Sequence, residues 1–194
     1  MLVLLVGLLL FLGVHSVRAL VPGVRAAGIA RLGVLGWKAF YGLLSLAGLV
    51  LLVYGYGEAR LHPVLVWTPP LGLRHVAALF TLPAFVLLVA TYMPRNHFKA
   101  RLGHPMLLAV KLWAVGHLLA VGWLHGMLLM TAFLAWAVIA FAAARRRDRQ
   151  APTAVATQAP SVVMSAATVI LGAAAWAGFV FHLHARWIGV PAFS

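Results

Sequence analysis

Nine histidines stand in a chain of 194 residues that holds only two carboxylates, Glu58 and Asp148, and no cysteine. Two separate acids cannot build a di-iron carboxylate site, an acidic proton relay, an oxygen cage for magnesium or calcium, or the paired acids of a glycosidase. Without thiols there is no disulfide, thiolate metal site, iron–sulfur cluster or thiol nucleophile. Imidazole is what remains. His62, His97, His125, His182 and His184 lie in loops or at the ends of apolar stretches and read as wet interfacial residues. His15, His75, His104 and His117 carry more interest. His15 and His117 sit well inside apolar runs, where an ionisable group is a candidate site residue by default.

Taken singly, each of these two reads first as a neutral core imidazole bonded to a neighbouring helix. Two of them, on different helices and with no acid at hand, point instead to a b-type haem. Neutral imidazole binds its iron at both faces, and the macrocycle fills an apolar bundle core. Haem propionates want cations. Arg18 follows His15 by one turn, and Lys111 lies two turns beyond His104 on the same face. Lys111 is as well explained by snorkelling towards the interface. No span holds an H-x-x-x-H pair for zinc, and Ser16 beside His15 points away from it on a helix, so neither a zinc site nor a serine dyad is favoured.

The solvent around these histidines follows from composition. The chain is 64% hydrophobic and 9% charged, with a mean hydropathy of +1.03; soluble domains run nearer about 45–50% and 25%. Six apolar stretches, at 2–21, 38–57, 73–92, 104–123, 125–144 and 162–183, each approach the roughly 20 residues that cross about 30 Å of hydrocarbon as a helix. The fourth and fifth meet at Gly122-Trp-Leu-His-Gly126, which predicts a tight helical hairpin. The fold expected is all-α, a single membrane bundle of about six spans over 1–194. A basic, flexible cytoplasmic linker is expected at 145–161, ahead of the last helix. Leu2–Val21 has no basic leader before it and reads as a full span, not a cleaved signal. Trp37, Tyr41, Trp67 and Trp123 near span ends suit an aromatic belt, and Gly42, Gly48, Gly55 and Gly57 suit close helix packing.

The net charge of +13 would suggest nucleic acid in a soluble protein, but its placement does not. Eleven basic residues fall in the first, third and fifth loops: Arg18, Arg25, Arg31, Lys38, Arg95, Lys99, Arg101, Arg145, Arg146, Arg147 and Arg149. Three, Arg60, Arg74 and Arg186, fall on the other side. This asymmetry predicts cytoplasmic basic loops and both termini outside, in a multi-pass inner-membrane protein. At 1.5 Å per residue, His15 lies roughly 9 Å and His117 roughly 20 Å from the inner face. Depth alone would equally pair His15 with His104, and His75 with His117.

Longer motifs carry a family resemblance. Phe11-Leu-Gly-Val-His-Ser-Val-Arg18 and His104-Pro-Met-Leu-Leu-Ala-Val-Lys-Leu-Trp-Ala-Val-Gly-His117-Leu-Leu resemble the two signature regions of the NnrU family, whose plant and cyanobacterial relatives are the 15-cis-ζ-carotene isomerases. Gly36–Ser45 and Arg74-His75 fit the same pattern, and the likeness covers about residues 1–145. The resemblance implies one b-type haem in a membrane bundle. Its axial ligands would be the histidine of the first H-S motif and the second histidine of the H-P…H-L-L string, which match His15 and His117. His75 and His104 would then be supporting residues. Val121 stands where the family often has Asn, and the absence of cysteine excludes any step in which thiolate replaces histidine at the iron.

Three functions follow as expectations. The first is haem-dependent cis–trans isomerisation of a long polyene from within the bilayer. The second is a membrane b-type cytochrome that binds nitric oxide or transfers electrons in support of denitrification, an association implied by the NnrU resemblance. The third is a haem-free membrane scaffold. The expected partners are the lipid bilayer and a hydrophobic polyene or small gas ligand; a homo-oligomer fits all three functions, and no nucleic acid is expected.

Overall fold

A computed structural model describes residues 1–150 and 159–193. The described residues form helices α1 (Leu2–Leu20), α2 (Pro22–Leu61), α3 (Gly72–Tyr92), α4 (His97–Leu102), α5 (Pro105–Ala120), α6 (Leu124–Gln150), α7 (Val162–Gly178) and α8 (His184–Ile188), with a π-helical turn at Phe179–Leu183 between the last two. Extended backbone contributes one isolated bridge among the described residues, Leu65 to Trp123. The all-α class expected from the sequence holds. Five helical stretches, α1, α2, α3, α6 and the run Val162–Ile188, are long and apolar enough to cross a membrane, and α5 is a shorter apolar helix. Large apolar side chains stand outward on all of the long helices, among them Leu9, Leu43, Leu79, Ile139 and Ile170. Water would not tolerate that surface, and lipid does. The chain is a multi-pass membrane protein by this construction.

The first basic loop is not a loop. Pro22 opens α2 at its first turn, where a missing N–H costs nothing, and Ala26, Ala27 and Arg31 continue it as good helix formers. The break comes at Gly33, whose φ of 72° and ψ of 170° suit only glycine. Before the break, Gly28 lies against the indole of Trp37, with no room for a Cβ. The linker expected from 145 also begins as helix, since α6 runs on to Gln150. Arginines are good helix formers, and a helix C-terminus favours cations. The remainder of that expected linker, 151–158, lies outside the described residues.

The helices group into two packed units. The first holds Met1–Thr68 and Gly122–Ala144, hence α1, α2 and most of α6. Its α1–α2 seam is built on glycine: Gly7 meets the backbone of Leu52, Gly48 that of Phe11 and Gly55 that of Leu4, so the main chains touch directly. Gly42 and Gly57, expected to do the same, face open space. The turn entering α6 is tied to the strand-like segment after α2 by Val66 N–H to Gly122 O and Leu124 N–H to Val64 O, both 2.9 Å.

The second unit holds Pro69–Val121 and the chain from Arg145. Gly116 of α5 packs on Ala77 and Phe80 of α3, and Gly172 of α7 packs on Val86 of α3. Ala84, Leu87 and Ala109 form its centre, with Phe98, Leu108, Leu112 and Trp113 around them. The Trp176 indole N–H donates to Thr81 Oγ1 at 3.0 Å, joining α7 to α3. Asn96, 1% exposed, organises the turn after α3. Its amide donates to Ala90 O at 2.9 Å and Met93 O at 2.6 Å. Its oxygen accepts from Lys99 N–H at 2.7 Å and caps α4. Asn96→Ala abolishes the cap and leaves buried carbonyls unpaired; it is expected to cost about 2–4 kcal/mol, read as a lowered thermal midpoint in detergent. A midpoint within a degree of the parent would contradict this.

Candidate functional site

His15 lies in the penultimate turn of α1. Its Nδ1 donates to the Phe11 carbonyl one turn earlier, at 2.7 Å, because a carbonyl can only accept. That bond fixes the tautomer and leaves Nε2 with its lone pair. The ring lies in an aromatic box, with Phe11 at 4.3 Å, Tyr41 edge-on at 5.6 Å and Trp136 edge-on at 6.3 Å. Ser16, its neighbour, turns away and donates to Leu12 O at 2.7 Å, so no serine–histidine dyad forms. On that side an apolar groove of about 270 Å³ runs between α1 and α6, from Leu8 past Leu12 and Ser16 to Ala19, with Trp136 and Ile139 opposite. Arg18 is exposed at the end of the same helix.

His117 repeats the device in the second unit. It sits in the last turn of α5, and its Nδ1 donates to the Trp113 carbonyl at 2.8 Å. The Trp113 ring lies 5.2 Å from the imidazole. Gly116 lets this turn pack on the opening turns of α3, so His117 stands at the end of the unit where α3 begins and where His75 sits. His75 itself is exposed and stacks on Phe193, with centroids 5.6 Å apart. Lys111 is half-buried midway along α5. His104, at the opposite end of α5, pairs through Nε2 with Asp148 Oδ2 at 2.9 Å, and Arg145 reaches the same oxygen at 4.0 Å.

Of the residues singled out from the sequence, His15 and Arg18 therefore belong to the first unit, and His75, His104, Lys111 and His117 to the second. Among the described residues no three histidine or acidic side chains gather to hold a bare metal ion. Sequence reasoning passed over three groups. Asp148 read as an isolated acid, yet it engages His104 across 44 residues, a separation that no local pattern reports. His125 read as wet, yet it is 5% exposed, with its ring edge-on to Tyr56 at 5.1 Å. His184 read as interfacial, yet its Nδ1 donates to the Val190 carbonyl at 2.7 Å, anchored as His15 and His117 are.

Neither the curated proteins nor the solved structures contain a match to this chain. A family model described as NnrU protein matches residues 3–192, taking in the last span as well as the motif-bearing regions. The chain belongs to the NnrU family.

Proposed function

We propose that this protein binds one b-type haem through His15 and His117, within an inner membrane whose cytoplasmic side meets the basic loops, and that it serves the cis–trans isomerisation of a polyene. One observation carries the haem assignment. Both histidines donate Nδ1–H to the carbonyl four residues earlier, at 2.7 and 2.8 Å, and so hold Nε2 as an oriented ligand nitrogen. Metal-binding imidazoles are ordinarily held by such a bond on the other nitrogen, which fixes the ring and raises its basicity.

The remaining residues divide the supporting work. Arg18 and Lys111 are cations suited to propionates in a chain nearly devoid of acids. His104 is held by Asp148 and His75 by Phe193, which suits both to positioning. Phe11, Tyr41 and Trp136 exclude water from the His15 ring. The α1–α6 groove beside them is apolar, its one hydroxyl, Ser16, is satisfied internally, and the Trp136 indole N–H is buried without a hydrogen-bond partner among the described residues. It suits a long hydrocarbon. When bound, haem would supply a redox-active iron able to weaken the double-bond character of a polyene. The chain's own part is to hold the imidazoles, seat the hydrocarbon and keep water out.

The test is an absorption spectrum of the detergent-purified protein, oxidised and dithionite-reduced, followed by incubation of both forms with cis polyenes. A Soret band with sharp reduced α and β bands, and conversion by the reduced form only, is the expected result. No Soret band after expression with ample haem would overturn the haem assignment. Haem with ready nitric oxide or carbon monoxide binding, but no polyene conversion, would favour the cytochrome function instead.

A further inference from the structure

The groove and the His15 box share one side chain. Of the three rings around His15, only Trp136 also lines the α1–α6 groove, with its indole edge-on to the imidazole at 6.3 Å. Its place on α6 leaves it room to move. Ala132 and Ala140 lie one turn before and one turn after it on the same groove wall. From the α1 wall Gly13 contributes no side chain, and a Cβ built there would meet nothing within 4 Å. Nor is the indole pinned. Its Nε1–H is buried and has no hydrogen-bond partner among the described residues, whereas the Trp176 indole N–H donates to Thr81 Oγ1 at 3.0 Å. A buried indole N–H ordinarily finds an acceptor, and one that lacks it has no hydrogen bond holding its orientation. His15 has one tether, the bond from Nδ1 to the Phe11 carbonyl at 2.7 Å. That bond fixes which nitrogen faces the carbonyl, while the plane of the ring is set by what packs against it.

Resting on the haem and polyene reading above, we infer that Trp136 is a positioning residue that couples the groove to the iron ligand. A hydrocarbon entering beside Gly13 displaces the unpinned indole, and the indole turns the plane of the His15 imidazole. Close-packed interiors carry such a displacement from one side chain to the next. No bond at His15 is made or broken: Nδ1 keeps the Phe11 carbonyl and Nε2 stays the ligand nitrogen. The groove thereby reports its own occupancy to the iron.

The experiment uses the full-length, haem-loaded protein in detergent and methyl cis-parinarate, an uncharged conjugated tetraene whose emission rises in apolar surroundings. Probe fluorescence reads binding, and the electron paramagnetic resonance g values of the oxidised protein read the planes of the axial imidazoles. In the parent, saturable binding should shift the g values. Gly13→Leu should weaken binding about tenfold or more, because the new side chain takes the space the hydrocarbon needs, and the shift should go with it. Trp136→Ala should still bind the probe but show no shift. If that variant loses its haem or its helical circular dichroism, Trp136→Leu, which keeps an apolar wall without the indole, replaces it with the same expectation. A g shift that persists in the Trp136 variant, or parent binding with no shift, would overturn the coupling while leaving haem and groove intact. No saturable binding in a parent with a Soret band would remove the groove as the hydrocarbon seat, and the coupling with it. A parent without a Soret band would overturn the haem assignment on which the coupling rests.

Discussion

His15→Ala is expected to lower the haem retained through purification by well over tenfold, with loss of the sharp reduced α and β bands. Removing an outer partner of a metal-binding histidine commonly costs 10–100-fold in affinity, and removing the ligand itself should cost more. Among the described residues, no other imidazole packs on the His15 ring. The groups packed on the His15 ring are Phe11, Tyr41 and Trp136, and the adjacent hydroxyl of Ser16 is committed to Leu12. His117→Ala is expected to lose haem in the same way. Near-parent haem content in both variants would show that neither imidazole binds iron. A free imidazole added during purification should restore His15→Ala in part, since the box of aromatic rings remains.

The second large effect belongs to the α1–α2 seam. Gly55→Ile and Gly48→Ile are expected to destabilise the protein by about 3 kcal/mol or more, since the new side chain would meet backbone and not a movable side-chain tip. At Gly48 an added Cβ would already lie 2.8 Å from the Phe11 nitrogen. Phe11 supplies the carbonyl that holds His15, so Gly48→Ile should also release haem. Gly57→Ala and Gly42→Ala provide the comparison, because a Cβ there meets nothing within 4 Å. Those two should be neutral or stabilising by about 0.5–1 kcal/mol through reduced backbone freedom. Thermal melts followed by helical circular dichroism, with haem absorbance read alongside, test the whole set. Equal midpoints for Gly55→Ile and Gly57→Ala would mean the seam does not hold the helices.

The spans were legible because lipid leaves the backbone almost no alternative. A long apolar stretch must satisfy its own carbonyls, and α3 and α7 start within a residue of where hydropathy places them. Helix outside the bilayer was not legible by the same means. Pro22–Leu32 and Arg145–Gln150 carry the arginines and alanines that serve equally in a helix or a wet loop, and hydropathy does not separate the two. Glycine showed the same limit. Four of them in α2 suggested a packing face, and only Gly48 and Gly55 point to α1, which depends on rotation about the helix axis. At the candidate site, the two central histidines could be picked out by their burial in apolar sequence. Their Nδ1 anchors are four residues back in the chain and follow from helical geometry once the side chain turns that way. The His104–Asp148 pair, 44 residues apart, depends on tertiary structure alone, whereas the reversal that holds His184 is a local turn at Gly189 that hydropathy does not single out.

The modest length of α5 has a consequence for where this protein can work. Sixteen residues rise only about 24 Å, some 6 Å less than an average hydrocarbon core. His117 stands in the last turn of that helix, so a bilayer thicker than the helix brings one of the two mismatched ends, where the bilayer thins or water reaches inward, to this imidazole. Acyl-chain length thereby becomes a control on how wet this imidazole is. Thick, saturated membranes would press the helix end under hydrocarbon, and thin ones would bring the headgroups to it. At α1, whose nineteen residues rise about 28 Å, the same dependence of imidazole wetness on bilayer thickness should be much weaker at His15.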